Sequence, residues 1–370
     1  MKKKGKVKFK KAHHQQDFYK ILRDRVEGYF TENNISESGN LKMYFKSFVL
    51  IGGYLSIIGV LYFGKLSTLN YILLSMVMGT ALAGIGMSVM HDANHGSYSK
   101  HNLVNVLMGY TLNLVGGAVH NWKLQHNILH HTYTNIHEMD DDIEDKLVLK
   151  FSPHGETKWY HKFQIVYVFF FYSILTLYWA LLKDLVQFIK YNKQGVDSIK
   201  GSKRSWMFIR ISVSKIFYFS YSLVIPIFIL NVSAYNVIMG FLFMHITAGL
   251  ILSVVFQLAH TVEGTTHPLP DEGIIENDWA IHQLNTTVNF SRDNMFLTWY
   301  LGGLNYQVEH HLFPRVCHVH YPEISKIVQS TCNEFNVPYL ESKTFTNAFK
   351  SHLRLLGYFG KPNVLKQTIE

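Results

Sequence analysis

Apolar positions run almost without a break over residues 47–64 and again over 70–90, with only a short polar turn at 65–68 between them. Each run covers about 30 Å of hydrocarbon at about 1.5 Å per residue, so the two read as a pair of membrane-crossing helices. Residues 213–230 and 235–257 form a second such pair, joined by the short link 231–234. The basic stretch from Lys183 to Arg210 precedes that pair and is cytoplasmic by the positive-inside tendency. Residues 163–182 are apolar too, but counting crossings leaves no room for them to span. They are expected to begin and end on the inner side as an interfacial helix. Residues 17–30 carry apolar side chains at helical spacing (Phe18, Ile21, Leu22, Val26, Tyr29), and 322–335 and 343–356 read as further amphipathic helices. The fold expected is an all-α integral membrane protein with about four transmembrane helices, interfacial helices and a cytosolic helical cap. Its parts are a basic cytosolic segment (1–45), a membrane domain (46–260) and the cap (261–370).

Composition agrees with this. Only 16% of the 370 residues are charged and 48% are hydrophobic, whereas a soluble protein is about a quarter charged. The formal charge of +9 is read as basic surface beside anionic lipid headgroups. No nucleic-acid-binding motif accompanies it, which excludes nucleic acid as a partner. Cys317 and Cys332 form no Cys-x-x-Cys unit, so a thiolate zinc site or redox pair is excluded and both are expected as reduced thiols. No apolar core follows the basic start until about residue 47, so no cleavable signal peptide is expected.

Candidate chemistry lies where the apolar runs end. His91 and His95 stand four apart directly after the second run, about one helical turn from each other. Two further clusters echo them: His126 with His130 and His131, and Gln307 with His310 and His311. The run over 103–119 separates the first two clusters and is broken by Asn105, Gly109, Asn113, Gly116 and Gly117. If it crossed the membrane, the clusters would lie on opposite sides and could share no metal, so it reads as re-entrant or interfacial. His260, just beyond the last run, makes eight histidines in all. Imidazole ligands without thiolate suit zinc, copper, iron or nickel. Eight are more than one metal with open positions uses, which favours two metals and, for oxygen activation, two irons. Gln307 lies on the face of His310 and His311 and reads as an orienting amide or a weak contact. Asp92, Asn94, Gln257 and His282 read as supports for the ligand rings. His245, inside a span, reads as a neutral core histidine. His13, His14, His318, His320 and His352 read as surface groups. The acidic run 138–145 reads as a solvated loop, a docking surface or counter-charge. A membrane metal transporter fits less well, because the histidines flank the spans instead of occupying them.

The three clusters, His-Asp-Ala-Asn-His, His-x-x-x-His-His and Gln-x-x-His-His, resemble the three histidine boxes of the membrane fatty acid desaturases in order and in gap. Stretches such as 131–135 and Gln307-Val308-Glu309-His310-His311-Leu312-Phe313-Pro314 resemble the front-end and acyl-lipid or acyl-CoA branch. The resemblance implies an O2-dependent enzyme that places a cis double bond in a fatty acyl chain carried on CoA, carrier protein or lipid. It implies two irons cycling between ferrous and ferric forms, held by His91, His95, His126, His130, His131, His310 and His311, with His260 as an extra ligand and no catalytic residue beyond the ligands. Where stearoyl-CoA members carry an Asn that contacts iron through water, this chain has Phe256. Gln307 in the third box is typical of front-end members. Many of these carry a fused cytochrome b5 with His-Pro-Gly-Gly, and His267-Pro268-Leu269-Pro270 does not match it. A separate donor, ferredoxin or cytochrome b5, is therefore expected, with the active site on the cytoplasmic face. A di-iron hydroxylase or ketolase would share the same residues.

Overall fold

A computed structural model describes residues 7–10, 17–143 and 148–362. His13, His14 and most of the basic amino-terminal run lie outside the described residues. The chain is predominantly helical and forms two compact units: Asn40–Leu124 with Phe169–Val254, and Gly5–Gly39 with Gln125–Val168 and Val255–Glu370.

α1 (Phe18–Glu32) belongs to the second unit; the first unit begins with α2 (Leu41–Phe63) and α3 (Thr68–His95). Asn40 caps α2 by accepting from Lys42 N, and Ser67 caps α3 by accepting from Asn70 N. α4 (Asn102–Leu114) and α5 (Val119–Tyr133) are bent by 106° at their junction, the broken geometry expected from the glycines and asparagines there. α6 (Trp159–Gln194), α7 (Ser202–Ile229) and α8 (Ala234–His260) follow. Among the described residues, five helices, α2, α3, α6, α7 and α8, are long and apolar enough to cross a membrane, or six if the bent pair α4 and α5 is one span. α6 is one helical run of 36 residues, and 163–182, expected as an interfacial helix, lie within it. Apolar side chains project from these helices, with Phe48 75% and Phe228 75% exposed, as surfaces facing lipid require. Their inner faces bury Tyr54, Tyr218, Met78 and Met244. His245 is a buried core residue as expected, between the Tyr218 hydroxyl at 2.7 Å and Thr176 Oγ1 at 3.1 Å.

The second unit holds the short helices α9 (Trp279–Thr286), α10 (Met295–Leu301), α11 (Gln307–Leu312), α12 (Tyr321–Glu334) and α13 (Phe345–Phe359). Its core packs Phe18, Leu22, Val26 and Phe30 of α1 with Ile324, Val328 and Cys332 of α12 and Val308 and Leu312 of α11. Pro314 ends α11, since the residue before a proline avoids helical geometry. The chain is not purely α: β1 (Lys8–Phe9) pairs in parallel with β2 (Ile274–Ile275), and β3 (Asn289–Phe290) with β4 (Glu341–Ser342). Cys317 and Cys332 are both buried, and they form no disulfide.

Three histidines expected on the surface are buried: His318, His320 and His352. His320 Nε2 donates to Ser38 O at 3.1 Å and the ring stands edge-on to Phe30, and His352 Nδ1 donates to Thr261 O at 2.7 Å. Polar neighbours in sequence hid the fact that these rings sit on the packed faces of their helices.

Candidate metal centre

Six histidines of the second unit converge. His126 and His130 lie on an i→i+5 stretch of α5, Lys123–His130, and His131 follows it directly. An ordinary α-helix would turn residue i+5 away from residue i. The wider turn brings residues four and five apart onto one face, so His126, His130 and His131 point together. Their rings are 5.1 Å (126–130) and 4.8 Å (126–131) apart. α11 presents His310 and His311. His131 stands 4.6 Å from His310 and 4.4 Å from His311. The last residue of α8, His260, lies 4.6 Å from His130 and 4.9 Å from His311.

Nearly every ring is held from behind through Nδ1. His130 Nδ1 meets Asp140 Oδ2 at 2.9 Å, and His126 Nδ1 meets Asp142 Oδ2 at 3.1 Å. A carboxylate accepts, so these nitrogens carry the proton and Nε2 is left for a ligand. His311 Nδ1 meets Gln283 Oε1 at 2.7 Å, His310 Nδ1 the Tyr321 hydroxyl at 3.2 Å, and His260 Nδ1 the Thr286 carbonyl at 3.3 Å. This is the outer support that metal-bound imidazoles use to fix tautomer and orientation.

The acidic run therefore differs from the sequence expectation. Asp140 and Asp141 are buried, 2% and 3% exposed, and Asp142 is partly buried; Glu144 and Asp145 lie outside the described residues. Asn135, in left-handed geometry (φ 58°), turns the chain so that it doubles back under α5. Its Nδ2 donates to His260 O and Thr266 O, both at 3.1 Å, and its backbone N–H to Asp140 at 3.0 Å. Burial works against the Asp140 charge, but His130 and the Asn135 N–H outweigh it and hold the carboxyl below its ordinary value. Sequence reasoning missed Asp140, Asp142, Gln283 and Tyr321 as supports. The usable signal was two carboxylates nine and eleven residues after His131, close enough for the chain to return them behind the rings.

The expected supports divide. Gln307 Nε2 meets His260 Nε2 at 2.9 Å, so this amide acts on the histidine that follows the last apolar helix. His282 does not join the cluster; its Nε2 meets Thr134 O at 2.9 Å, and the Thr134 hydroxyl donates to Gln283 Oε1 at 2.9 Å behind His311. Burial pushes the His282 imidazole down to about 4. Gln257 is buried, and its Oε1 has no hydrogen-bond partner among the described residues. Phe256 packs its ring 5.2 Å from His130 and 5.0 Å from His260. His120 pairs with Asp197 at 2.9 Å, not with a ligand ring.

Within the third box, Glu309 is fully buried and accepts from Asn289 Nδ2 and from the Tyr339 hydroxyl, both at 2.8 Å. Burial pushes its carboxyl up to about 7, against the pull of those two bonds and of Arg292. Asn289 also accepts from Val308 N at 2.9 Å, so α11 is tied to the β3–β4 ladder through side chain and backbone alike.

His91 and His95 belong to the first unit. They follow an i→i+5 segment of α3, Ile85–Val89, and their rings are 4.8 Å apart against Trp122 at 5.7 and 5.6 Å. Asp92 Oδ1 lies 3.8 Å from His91 Nδ1, while Asn94 turns away and donates to Gly109 O at 3.2 Å.

These residues fit metal. The ring nitrogens of His130, His260 and His311, and those of His131, His310 and His311, lie within 4.8 Å of one another. Two nitrogens bound to one ion at about 2.1 Å stand at most about 4.2 Å apart, so small adjustments close each group. His130 Nε2 is buried with no hydrogen-bond partner among the described residues, a cost that a bound ion would remove.

The family model for fatty acid desaturase matches residues 66–343, three quarters of the chain and all three histidine clusters. The chain belongs to the fatty acid desaturase family. It is a fatty acyl desaturase, an oxidoreductase that acts on acyl chains with O2. It is 37% identical over 90% of both chains to an sn-1 linoleoyl-lipid 6-desaturase of Arthrospira platensis. It is 36% identical to an acyl-lipid (8-3)-desaturase of Physcomitrium patens, over 96% of this chain and 75% of that one. A Synechocystis sn-1 linoleoyl-lipid 6-desaturase is 34% identical over 94% of the desaturase and 96% of its own length.

Proposed function

We propose that the desaturase is a front-end enzyme acting on lipid-linked acyl chains, with two irons held by His91, His95, His126, His130, His131, His260, His310 and His311. The observation that carries the front-end reading is Gln307 in the third box, set against His260, in a chain whose relatives are named acyl-lipid 6- and (8-3)-desaturases. When bound, the two irons supply with O2 the oxidising power to take hydrogen from an unactivated methylene, which side-chain acids and bases lack at neutral pH.

The protein's own residues hold the ligand rings in place. Asp140 and Asp142 keep the Nδ1 protons of His130 and His126, so each ring offers Nε2 inward. Gln283 and Tyr321 do the same for His311 and His310. Gln307 stands where other family members place a histidine; its amide faces His260 Nε2, the nitrogen that iron would take, and would yield that contact to the metal. Phe256 occupies the approach beside His130 and His260 with an apolar ring, which keeps water from that side. Two electrons and two protons must enter for each double bond formed, since O2 leaves as two waters. The electrons come from a separate donor protein, ferredoxin or cytochrome b5.

The same reading fixes topology. All eight ligands must share one face, and α6, α7 and α8 separate His95 from His260. Three crossings would place the two on opposite sides. Four helices, α2, α3, α7 and α8, therefore cross, α6 begins and ends on the cytoplasmic side, and residues 1–45 and 261–370 form the cytosolic parts around the membrane domain 46–260.

Expression in a host fed defined fatty acids, with mass spectrometry of double-bond position and lipid class, tests the function. A new double bond between an existing one and the carboxyl end, in a glycerolipid, is expected. One on the methyl side, or an alcohol, overturns the reading.

A further inference from the structure

Lys215 lies in the middle of α7, an apolar helix, and is only 7% exposed. A lysine ammonium has three donors and no acceptor, and Lys215 Nζ meets three acceptors: Asp184 Oδ2 at 2.6 Å, Gly116 O at 2.6 Å and Trp179 O at 2.9 Å. Two of these contacts are hydrogen bonds to backbone carbonyls and the third is an ion pair, all at a depth where water cannot stand in.

Each partner marks an irregularity in the backbone. Gly116 lies in the break between α4 and α5 and has φ +95°, the left-handed region, and a Cβ there would meet the Tyr218 ring at 3.0 Å. Its carbonyl belongs to no helix, and in an apolar surrounding such a group needs a protein donor. Trp179 opens the i→i+5 segment Trp179–Lys183 of α6. Asp184 closes the network: its carboxylate accepts from Trp179 Nε1 at 3.1 Å, and its backbone carbonyl from Asn121 Nδ2 at 2.5 Å. Asn121 is in the first turn of α5, five residues before His126. The start of α5 is thus held twice, at Gly116 by Lys215 and at Asn121 by Asp184.

Net stability does not account for this pair. Desolvation of two charges offsets most of their attraction, and an apolar replacement of both is often neutral. What an apolar pair would lack is donors for Gly116 and Trp179. We propose that Lys215 is a positioning residue, which fixes the turn at Gly116 and so sets where α5 begins and where it carries His126 and His130. The catalytic part of this rests on those histidines being iron ligands; the turn itself does not.

The test uses full-length, iron-loaded protein in lipid nanodiscs. Lys215→Met alone leaves the Asp184 charge without its partner and is prone to misfold, so Lys215→Met/Asp184→Asn is the deciding variant. Maleimide labelling of Val115→Cys reports the turn, since Val115 is buried and the native Cys317 and Cys332 are 0% exposed. The double variant is expected to insert and melt like its parent, to label about tenfold faster at position 115, and to lose about tenfold in kcat with KM unchanged. Parental labelling, or faster labelling with parental kcat, overturns the proposal. So does failure to insert, because the pair would then hold the whole domain and not one turn. Iron content of His126→Ala, measured in parallel, tests the ligand reading separately.

Discussion

His130 gives its Nδ1 proton to Asp140 at 2.9 Å, and neither group meets solvent: the ring is 0% exposed and the carboxylate 2%. Asp140→Asn keeps the shape but replaces an obligate acceptor with a neutral amide that can also donate. The ring then loses its fixed tautomer and part of its basicity. Iron affinity is expected to fall about 10- to 100-fold, read as iron retained against graded chelator, while Asp141→Asn, which keeps the backbone carbonyl that accepts from Gln125 Nε2 at 3.4 Å, retains its iron. Equal retention in Asp140→Asn and parent would remove Asp140 from the site.

Glu309 gives a second expectation, on stability. Glu309→Leu removes the acceptor that Asn289 Nδ2 and the Tyr339 hydroxyl share and leaves two buried donors short of a partner. A cost of about 1–3 kcal/mol for each is the usual range for such groups. Tyr339→Phe removes the hydroxyl that donates to Glu309 and accepts from Asn289 Nδ2 and Arg292 Nη1, but it leaves Asn289 its bond to Glu309 and Arg292 its pair with Glu341, and should cost about 1 kcal/mol. Melting of the metal-free protein checks both, and the order Glu309→Leu below Tyr339→Phe below parent is the expected result.

Much of this arrangement was legible from sequence, for identifiable reasons. The apolar runs 47–64, 70–90 and 235–257 declare themselves because lipid demands long uninterrupted segments. Boxes one and three stand out in the sequence because His91 with His95 and Gln307 with His310 and His311 follow ordinary helical spacing. Box two is different. A period of 3.6 does not bring His131 onto the face of His126; the i→i+5 stretch does, and no composition announces it. Asp140 hid in an acidic run that looks solvated, because its burial depends on the left-handed turn at Asn135. His318, His320 and His352 looked exposed because tertiary packing, not local polarity, decides which helix face is covered.

Asn94 makes a third case, where a single methyl group is decisive. It donates to the Gly109 carbonyl at 3.2 Å, and a Cβ on Gly109 would stand 2.6 Å from Asn94 Oδ1. Gly109→Ala is therefore expected to push Asn94 aside and disturb the first box, although alanine favours the helix that holds position 109. Turnover should fall while the protein still inserts, and a variant with Asn94→Gly added should recover part of it by opening the space. Full activity in Gly109→Ala alone would show that the contact is not needed.

His352 sets a pH dependence away from the ligand cluster. Burial pushes its imidazole down to about 4, and the Thr261 carbonyl that its Nδ1 meets only partly offsets this. In the unfolded chain the ring titrates near 6.5, so between about 6.5 and 4 the unfolded state binds more protons than the folded one. Stability from this residue is therefore complete above pH 6.5 and is lost as pH falls toward 4, to an extent on the order of 3 kcal/mol. His352→Gln keeps a donor for the Thr261 carbonyl and cannot titrate. Melting temperatures between about pH 4.5 and 7 should fall less steeply for the variant than for the parent. Parallel curves would mean that His352 is protonated in the folded protein or exposed to water.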